Sequence, residues 1–243
     1  MRFDVVTLFP DLINEASNHS ILKRAKENNL LEVYTTNPRD FSSNKHKKVD
    51  DKPYGGGAGM VLSCQPYLDA IRSIETTNNI EKIILTPQGE VFNQKIAKEL
   101  SQKDQIILIC GHYEGFDERI RTLSKAREIS IGDFVLTGGE YPALCIIDSV
   151  TRLLDGALGD NDSAEYDSHS DGLLEYPQYT KPREYEGLKT PEVLLSGNHA
   201  QIDKWRREQQ IKRTKEKRPD LFDKFIKSNL SKLDKKIIEE NNL

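Results

Sequence analysis

The sequence predicts an α/β protein in which a largely parallel sheet is followed by a small all-helical part. Up to about residue 154, short β-rich runs alternate with amphipathic helical stretches, a pattern typical of a parallel sheet with helices on both faces. Residues 155–189 show neither period, and helical periodicity resumes from about residue 191. With 243 residues, 36% hydrophobic and 30% charged, the chain is long enough for a large core and does not have the composition of a disordered protein.

The first part contains five predicted strands and four predicted helices. The strands are residues 3–9, 31–36, 82–87, 105–111 and 127–134, where β-branched and aliphatic residues dominate. The helices are residues 21–29, 66–75, 93–101 and 142–154. Ligands bind beyond the carboxyl ends of the strands in such sheets, so we expect the binding site in the loops that follow residues 87, 111 and 134.

The C-terminal part is predicted to be helical over residues 198–219, 221–230 and 231–240. From His199 onward the chain has 13 lysines and arginines against 8 acidic residues, although its total net charge is -4. A basic part joined to an acidic body suits a protein that binds phosphate groups with one segment. A solvated helical face explains the same charges equally well, so both interpretations stay open at this point.

The remaining composition excludes several classes of protein. Asp4 and Pro10 interrupt the N-terminal residues, so we expect neither a signal peptide nor a membrane anchor there. The apolar run at 106–110 is far shorter than the roughly 20 residues of a membrane-spanning helix. The three cysteines, Cys64, Cys110 and Cys145, form no CxxC motif and are predicted to be small buried residues in a reducing compartment.

The motif PYGGGAGM at 53–60 is the most prominent glycine cluster. No Lys-Ser/Thr pair follows it, and Met60 breaks the GxGxxG pattern, so it is not a known phosphate-binding loop. Ser63 is a possible cap for the following helix. A structural turn and a functional loop are equally compatible with this motif.

Two further glycine-bearing segments follow predicted strands, at 108–119 (LICGHYEGFDER) and 130–140 (SIGDFVLTGGE). Both follow neighbouring strands, so we expect one pocket lined mainly by backbone groups, which suits an adenine edge or a ribose. His112 has no second histidine or cysteine at metal-ligand spacing, which favours a turn histidine over a metal ligand.

The acidic segment at 165–175 (EYDSHSDGLLE) lies within the aperiodic region. It is either a solvated mobile loop or a lid that carries a carboxylate acting as a general base. Arg152, near the end of the preceding predicted helix, is a candidate cationic partner or an ordinary helix C-terminal charge.

These motifs, together with DGLLEYPQYTKPREYEG and PEVLLSGNHAQIDKWRREQ, occur in an order that resembles the bacterial tRNA (guanine-N1)-methyltransferase family of the SPOUT superfamily. The resemblance covers nearly the whole chain. It implies transfer of a methyl group from S-adenosylmethionine to N1 of guanosine 37 in tRNA by a cytoplasmic homodimer, without DNA or a membrane as partner. It also implies a deep trefoil knot, whereas connection rules alone predict an ordinary doubly wound sheet.

Carried over residue by residue, the resemblance implies Asp167 as catalytic base, Arg152 as its partner, and Glu114 near the charged end of the cofactor. The implied cofactor-binding residues are Thr86, Pro87, Gly111, Tyr113, Glu114, Gly115, Ser130, Ile131, Gly132, Asp133, Phe134, Val135, Leu136, Gly138 and Gly139. The expected RNA-binding residues are Lys204, Arg206, Arg207, Lys212, Arg213 and Lys215. No metal site is predicted. His169, Tyr176 and Gln178 depart from the family pattern and bear on how the lid packs.

The resulting domain prediction is a cofactor-binding domain at 1–159, a flexible linker or lid at 160–175 and a helical tRNA-binding domain at 176–243. Residues 160–172 are expected to be mobile without tRNA. Two alternatives remain: a SPOUT methyltransferase for another RNA target, and an RNA-binding protein without catalysis. A nicotinamide dehydrogenase lacks its GxGxxG fingerprint after the first strand.

Overall fold

The computed structural model describes residues 1–159 and 167–243, and the chain divides into two compact units, residues 1–161 and residues 162–243. The strands of the first unit are β1 (Arg2–Val6), β2 (Glu32–Thr36), β3 (Asp50–Asp51), β4 (Val61–Leu62), β5 (Ile80–Val91), β6 (Gln105–Cys110) and β7 (Arg127–Ser130). Its helices are α1 (Pro10–Ala16), α2 (Ser20–Glu27), α3 (Cys64–Ser73), α4 (Gln94–Leu100), α5 (Glu118–Ser124) and α6 (Glu140–Thr151).

Five of these strands form one parallel sheet in the order β2-β1-β6-β5-β7, which confirms the predicted α/β class. β3 and β4 form a separate antiparallel pair. The register between β5 and β7 shifts between Leu85 and Glu90, so β5 runs on to Val91 beyond its predicted end. The chain therefore bends where β5 reaches the edge of the expected binding region.

The sheet is buried on both faces because helices cover each of them. Along β6, Ile106, Leu108 and Cys110 face one hydrophobic cluster, to which α1, α2, α4 and α6 contribute. Ile107 and Ile109 face the other cluster, to which α3 and α5 contribute. This two-sided burial explains why the strand reads as a continuous apolar run.

Two helices of the first unit, α1 and α5, were not predicted. Each has only one buried apolar residue, Ile13 in α1 and Ile120 in α5, which is too few to show apolar periodicity. α1 begins with Pro10, whose fixed backbone angle suits a first helical turn. α5 is capped by the Asp117 side chain, which accepts a hydrogen bond from the Arg119 backbone N–H at 3.0 Å.

The prediction that all three cysteines are buried is wrong for two of them. Cys110 is buried at the end of β6, whereas Cys64 is half-buried and Cys145 is exposed. In α6, Ala143, Ile146 and Ile147 face the sheet, and Cys145 lies outside that stripe. The apolar composition of a helix did not reveal which of its sides faces the solvent.

In residues 167–243, the described part of the second unit, there are a short hairpin and four helices. The elements are β8 (Glu184–Tyr185), β9 (Leu188–Lys189), α7 (Glu192–Leu195), α8 (His199–Lys217), α9 (Pro219–Ile226) and α10 (Lys232–Glu240). Leu173, Ile211, Phe222, Phe225 and Ile237 form its core. In the described parts of both units, no helix is long and apolar enough to cross a membrane.

Candidate active site

The first unit has a cavity of about 290 Å³ at the carboxyl ends of β5, β6 and β7. Three chain segments, 85–88, 111–116 and 129–139, supply most of its lining. These are the loops in which the sequence predicted a binding site. Apart from Asp133, every residue of the predicted cofactor-binding set lines the cavity.

The third of these segments passes tightly against the end of β6. The Gly139 backbone N–H donates to the carbonyl oxygen of Gly111 at 2.9 Å. A Cβ atom at Gly139 would lie 2.7 Å from the Cα of Cys110, a distance that would displace the backbone. Glycine is needed here because one backbone approaches another.

The start of the same segment is held by a serine. The Ser130 hydroxyl donates to the Gly132 carbonyl at 3.0 Å and accepts from the Gly132 N–H at 3.2 Å. Gly132 has φ +146°, which favours glycine. Beyond this turn, Phe134 and Val135 are exposed at 53% and 85%. The lip of the cavity is therefore apolar while its wall offers backbone polar groups.

A buried carboxylate lies close to the cavity wall and was not singled out from the sequence. Glu140 is 4% exposed and accepts a hydrogen bond from the Thr7 hydroxyl at 2.7 Å. A Cβ atom at Gly138 would lie 2.4 Å from Glu140 Oε2 and 2.9 Å from His112 Nδ1. Glu140 is the first residue of α6, where the helix dipole favours a negative charge. Its position directly after two glycines was the signal that could have identified it in the sequence.

His112 lies between two aromatic rings, as suits a turn histidine. Its ring centroid is 5.0 Å from that of Phe9 and 4.7 Å from that of Tyr113. Among the described residues its buried Nδ1 atom has no hydrogen-bond partner. No group of three or more potential metal ligands occurs in residues 1–159 and 167–243.

Arg121 is a second cavity residue that the sequence analysis missed. Its guanidinium pairs with Glu128 and donates to the Thr86 hydroxyl at 3.3 Å. Its side chain is 11% exposed. Arg121 therefore links α5 to β7 through Glu128 and to β5 through Thr86.

The glycine-rich loop at 53–60 packs on the cavity wall. The Glu114 N–H donates to the Met60 carbonyl at 3.0 Å, and the Leu62 N–H donates to the Gly115 carbonyl at 2.9 Å. A Cβ atom at Gly59 would lie 2.4 Å from Glu114 Oε1. The loop is thus part of the surroundings of the site, although it does not line the cavity.

The two predicted catalytic residues belong to different units. Arg152 follows the last residue of α6 in the first unit, where its N–H donates to the Asp148 carbonyl at 3.1 Å. Asp167 is half-buried in the second unit, and its carbonyl accepts from the Ser170 N–H at 3.1 Å. Residues 160–166 of the predicted lid lie outside the described residues.

The described part of the predicted lid, 167–175, is anchored to α8. The Leu174 N–H donates to the Thr214 hydroxyl at 2.9 Å, and Leu173 is 1% exposed in the core of the unit. Arg207 pairs with Asp171 and donates through Nε to Asp234 at 2.7 Å. The expected mobility of residues 160–172 stays a prediction, and residues 160–166 lie outside the described part of the chain.

The predicted RNA-binding side chains of α8 are mostly engaged within their own unit. Lys204 pairs with Glu240 at 3.1 Å, and Lys212 pairs with Glu208. Lys215 lies over the Phe222 ring at 5.7 Å. Among the paired cations of α8, Arg207 has the lowest exposure, 23%, because it bridges Asp171 and Asp234.

The three departures from the family pattern lie near α8 or in the anchored segment. The Tyr176 ring lies under Arg206, with 4.9 Å from Arg206 Cζ to the ring centroid. Gln178 donates to the Glu175 carboxylate. His169 has a positive φ of 73°. Tyr176 therefore holds Arg206, a second arginine of α8, against the second unit.

Removing the Arg207–Asp234 pair is expected to destabilise the second unit. Burial raises the pKa of Asp234, but hydrogen bonds from Arg207 and Ser231 outweigh it and leave the pKa below its ordinary value. Asp234→Asn should lower the free energy of unfolding at pH 7 by about 2 kcal/mol, since a charged hydrogen-bonded partner is lost. Trp205, the single tryptophan, reports this unfolding through its fluorescence.

The stabilisation of the second unit by the Arg207–Asp234 pair should depend on pH. A lowered pKa in the folded state means that the stabilisation is present above the unfolded value, about 3.9, and is lost as the pH falls through the folded pKa. The difference between wild type and Asp234→Asn should therefore shrink below about pH 4. Asp220→Asn is the control, because its pair with Arg218 is exposed and should matter little. An unchanged midpoint of denaturation for Asp234→Asn at pH 7 would contradict the expected destabilisation.

Comparison with known proteins assigns residues 1–224 to one family. The model of the family described as "tRNA (Guanine-1)-methyltransferase TrmD" matches residues 1–224. The chain belongs to this family. The match includes every loop of the cavity and both units, apart from the last residues of the chain.

The curated relatives carry the same activity in their names as the family model does. A tRNA (guanine-N(1)-)-methyltransferase of Clostridioides difficile (strain 630) is 59% identical over 92% of this chain and 98% of the relative. A protein of the same name from Staphylococcus aureus (strain Newman) is 54% identical over 98% of this chain and 96% of the relative. The family inferred from the order of the motifs is thereby confirmed, and the chain is an enzyme of the methyltransferase class.

Proposed function

We propose that this protein transfers the methyl group of S-adenosylmethionine to N1 of guanosine 37 in tRNA, next to the anticodon. The observation that carries the proposal is that the loops bearing the family motifs converge on one cavity at the carboxyl edge of the sheet. The family match over residues 1–224 supports the methyl transfer and the tRNA substrate.

The cavity fits the proposed donor in size and chemistry. Its volume of about 290 Å³ is close to the lower end of typical small-molecule sites. Glycine backbone groups at 111 and 138–139 can bind an adenine edge or ribose hydroxyls, and the apolar Ile131 and Leu136 can contact the adenine faces. The Glu114 carboxylate suits the positive charge of the donor.

Asp167 is proposed to act as the general base. The N1 atom of guanine carries a proton and is a weak nucleophile until that proton leaves. The Asp167 carboxylate accepts this proton as the methyl group arrives. An aspartate in this role needs no covalent intermediate with the protein, so neither Cys110 nor Cys145 has to react.

Arg152 is proposed to stabilise the charge that develops during proton removal. As N1 loses its proton, negative charge accumulates on O6 of the guanine. The Arg152 guanidinium donates charge-assisted hydrogen bonds to that oxygen. When bound, S-adenosylmethionine supplies an already activated methyl group on its sulfonium. The protein's remaining contribution is to orient N1 for in-line transfer.

The cavity is proposed to be part of a deep trefoil knot. β7 lies at one edge of the sheet, next to β5. From there the chain returns across β5 to contact β6 through Gly139 and then enters α6, which packs on the same face as α1 and α2. A chain that crosses back in this way can pass through the loop formed by residues 86–92, as a trefoil knot requires.

The two units are proposed to have different functions. Residues 1–159 bind the donor, residues 160–175 act as the lid, and residues 176–243 bind tRNA through the basic residues of α8. We further propose that the enzyme is a cytoplasmic homodimer in which one subunit holds the donor and its partner contributes Asp167. The apolar side chains exposed at the cavity lip, Phe134 and Val135, are suitable for burial in such an interface.

The test is transfer of labelled methyl from S-adenosylmethionine to unmodified tRNA transcripts. One transcript carries guanine at positions 36 and 37, and a matched transcript carries adenine at 37. We expect label in the first alone. Label in both would indicate another target position, and label in neither would favour an RNA-binding protein without catalysis.

A further inference from the structure

Tyr54 is a completely exposed aromatic side chain, at 101% relative exposure, in the glycine-rich loop at 53–60. The Gly56 N–H donates to the Pro53 carbonyl at 3.2 Å, which closes a turn with Tyr54 and Gly55 at its centre. Gly55 has φ +84°, as the third position of a type II turn requires. The turn therefore presents the Tyr54 ring to the solvent.

Open space surrounds the backbone next to this ring. A Cβ atom placed at Gly55 or Gly56 would have no other heavy atom within 4 Å. A planar group can therefore approach the tyrosine ring and the adjoining peptide planes without meeting a side chain from either glycine. An exposed ring beside bare backbone is a suitable stacking platform.

The loop is anchored to the cavity wall at its base. β3 pairs with β4, and Val49 and Leu62 on either side of the loop are fully buried. The Met60 carbonyl accepts from the Glu114 N–H at 3.0 Å, and Glu114 lines the cavity. The end of the loop at Met60 is thus fixed to a residue that lines the proposed donor site.

The chain just before this loop is basic, although the first 198 residues as a whole are acidic. Lys45, His46, Lys47, Lys48 and Lys52 are all exposed. Asp40 pairs with Lys47 at 3.4 Å, and Asp50 and Asp51 lie between Lys48 and Lys52, so the net positive charge is concentrated in residues 45–48. Phosphate groups are the natural counterpart of such a cluster.

We infer that Tyr54 stacks on an unpaired base of the substrate RNA while the lysines of residues 45–48 bind its phosphates. Single-stranded loops are recognised in this way, by aromatic stacking of splayed bases and by cationic contacts to the backbone. The inference rests on the proposed function and adds a binding site in the first unit to the basic residues of α8. A second copy of this chain covering Tyr54 is the competing explanation.

The experiment compares Tyr54→Ala and Tyr54→Phe with wild type in the full-length enzyme. Tyr54→Ala should raise the KM for tRNA about tenfold, because a stacked base is lost. Its kcat at saturating tRNA and its affinity for S-adenosylmethionine should not change. Tyr54→Phe should behave as wild type, since stacking needs the ring and not the hydroxyl. Tyr34→Ala is the matched control, because Tyr34 is also exposed but lies on β2.

Two further measurements separate RNA from a second copy of the chain. Equilibrium binding of transcripts with 2-aminopurine at single positions of the anticodon loop should show quenching at one position, which Tyr54→Ala relieves. Replacing Lys45, Lys47 and Lys48 together by alanine should reduce the salt dependence of binding by a slope of about 2, at roughly 0.7 per phosphate contact.

Three results would overturn the inference. They are wild-type tRNA affinity in Tyr54→Ala, equal loss in Tyr54→Phe, and a change of molecular mass by light scattering in Tyr54→Ala. Because tRNA binding is measured without turnover, a wild-type enzyme that binds tRNA but fails to methylate it would contradict the proposed function and leave this inference standing.

Discussion

Asp167→Asn is expected to lower kcat about a thousandfold, within the range that general acid–base catalysis contributes. Asparagine is nearly isosteric with aspartate but cannot accept the proton from N1 of guanine. The backbone contact of Asp167 with Ser170 does not involve the side chain, so it should survive the substitution. The KM values for tRNA and S-adenosylmethionine should stay close to wild type. Single-turnover methylation at saturating substrates measures the effect on the chemical step.

Asp203→Asn is the control for this experiment. Asp203 is also an acid of the second unit, but it is exposed on α8 and lies 3.7 Å from Arg206. Its replacement should leave kcat unchanged. If Asp167→Asn retained full kcat, Asp167 would not be the base, and an RNA target that needs no proton removal at N1 would gain support.

Gly139→Ala is expected to weaken binding of S-adenosylmethionine about a hundredfold. The new methyl group would lie 2.7 Å from the Cα of Cys110 and 3.0 Å from the backbone nitrogen of Gly111. Neither atom can move away by a side-chain rotation, so the segment before α6 must shift off β6. Donor binding requires the unshifted segment, and restoring it at a cost of about 3 kcal/mol lowers the affinity roughly a hundredfold.

Gly159→Ala is the matched control, because a Cβ atom there meets nothing within 4 Å. Isothermal titration with S-adenosylmethionine measures both variants, and circular dichroism establishes that each is folded. Unchanged affinity in Gly139→Ala would show that the close approach of this segment to β6 is not needed for donor binding.

The sheet was predictable from the sequence because its strands carry a strong local signal. β6 reads as an uninterrupted apolar run, and such a run is typical of a parallel strand covered on both faces. The helices α2, α3, α4 and α6 each bury two or more apolar residues, which show their apolar side. α1 and α5 were missed because each buries a single apolar residue, Ile13 and Ile120.

The position of the loops that line the cavity was also predictable, because the carboxyl edge of a parallel sheet collects the loops that follow its strands. The identities of the proposed catalytic residues were not predictable from spacing. Asp167 and Arg152 were singled out by their place in motifs that resemble a family, and periodicity alone left both with ordinary structural explanations. The cations of α8 show the limit of charge patterns, since Arg207 looks like a phosphate ligand in the sequence but bridges two carboxylates in the structure.

By itself, then, the sequence determined the α/β class, the five strands of the parallel sheet, most of the helices, the edge that carries the cavity, and the family. Tertiary structure alone decided that Thr7 meets Glu140 beside the cavity wall, that the glycine loop at 53–60 packs on Glu114, and that Cys145 faces the solvent. Apolar periodicity encodes which side of an element is buried, and it acts over a few residues. Contacts such as Thr7–Glu140, between residues 133 positions apart, depend on strand order and on the path of the chain between strands, and no local pattern of side chains specifies either.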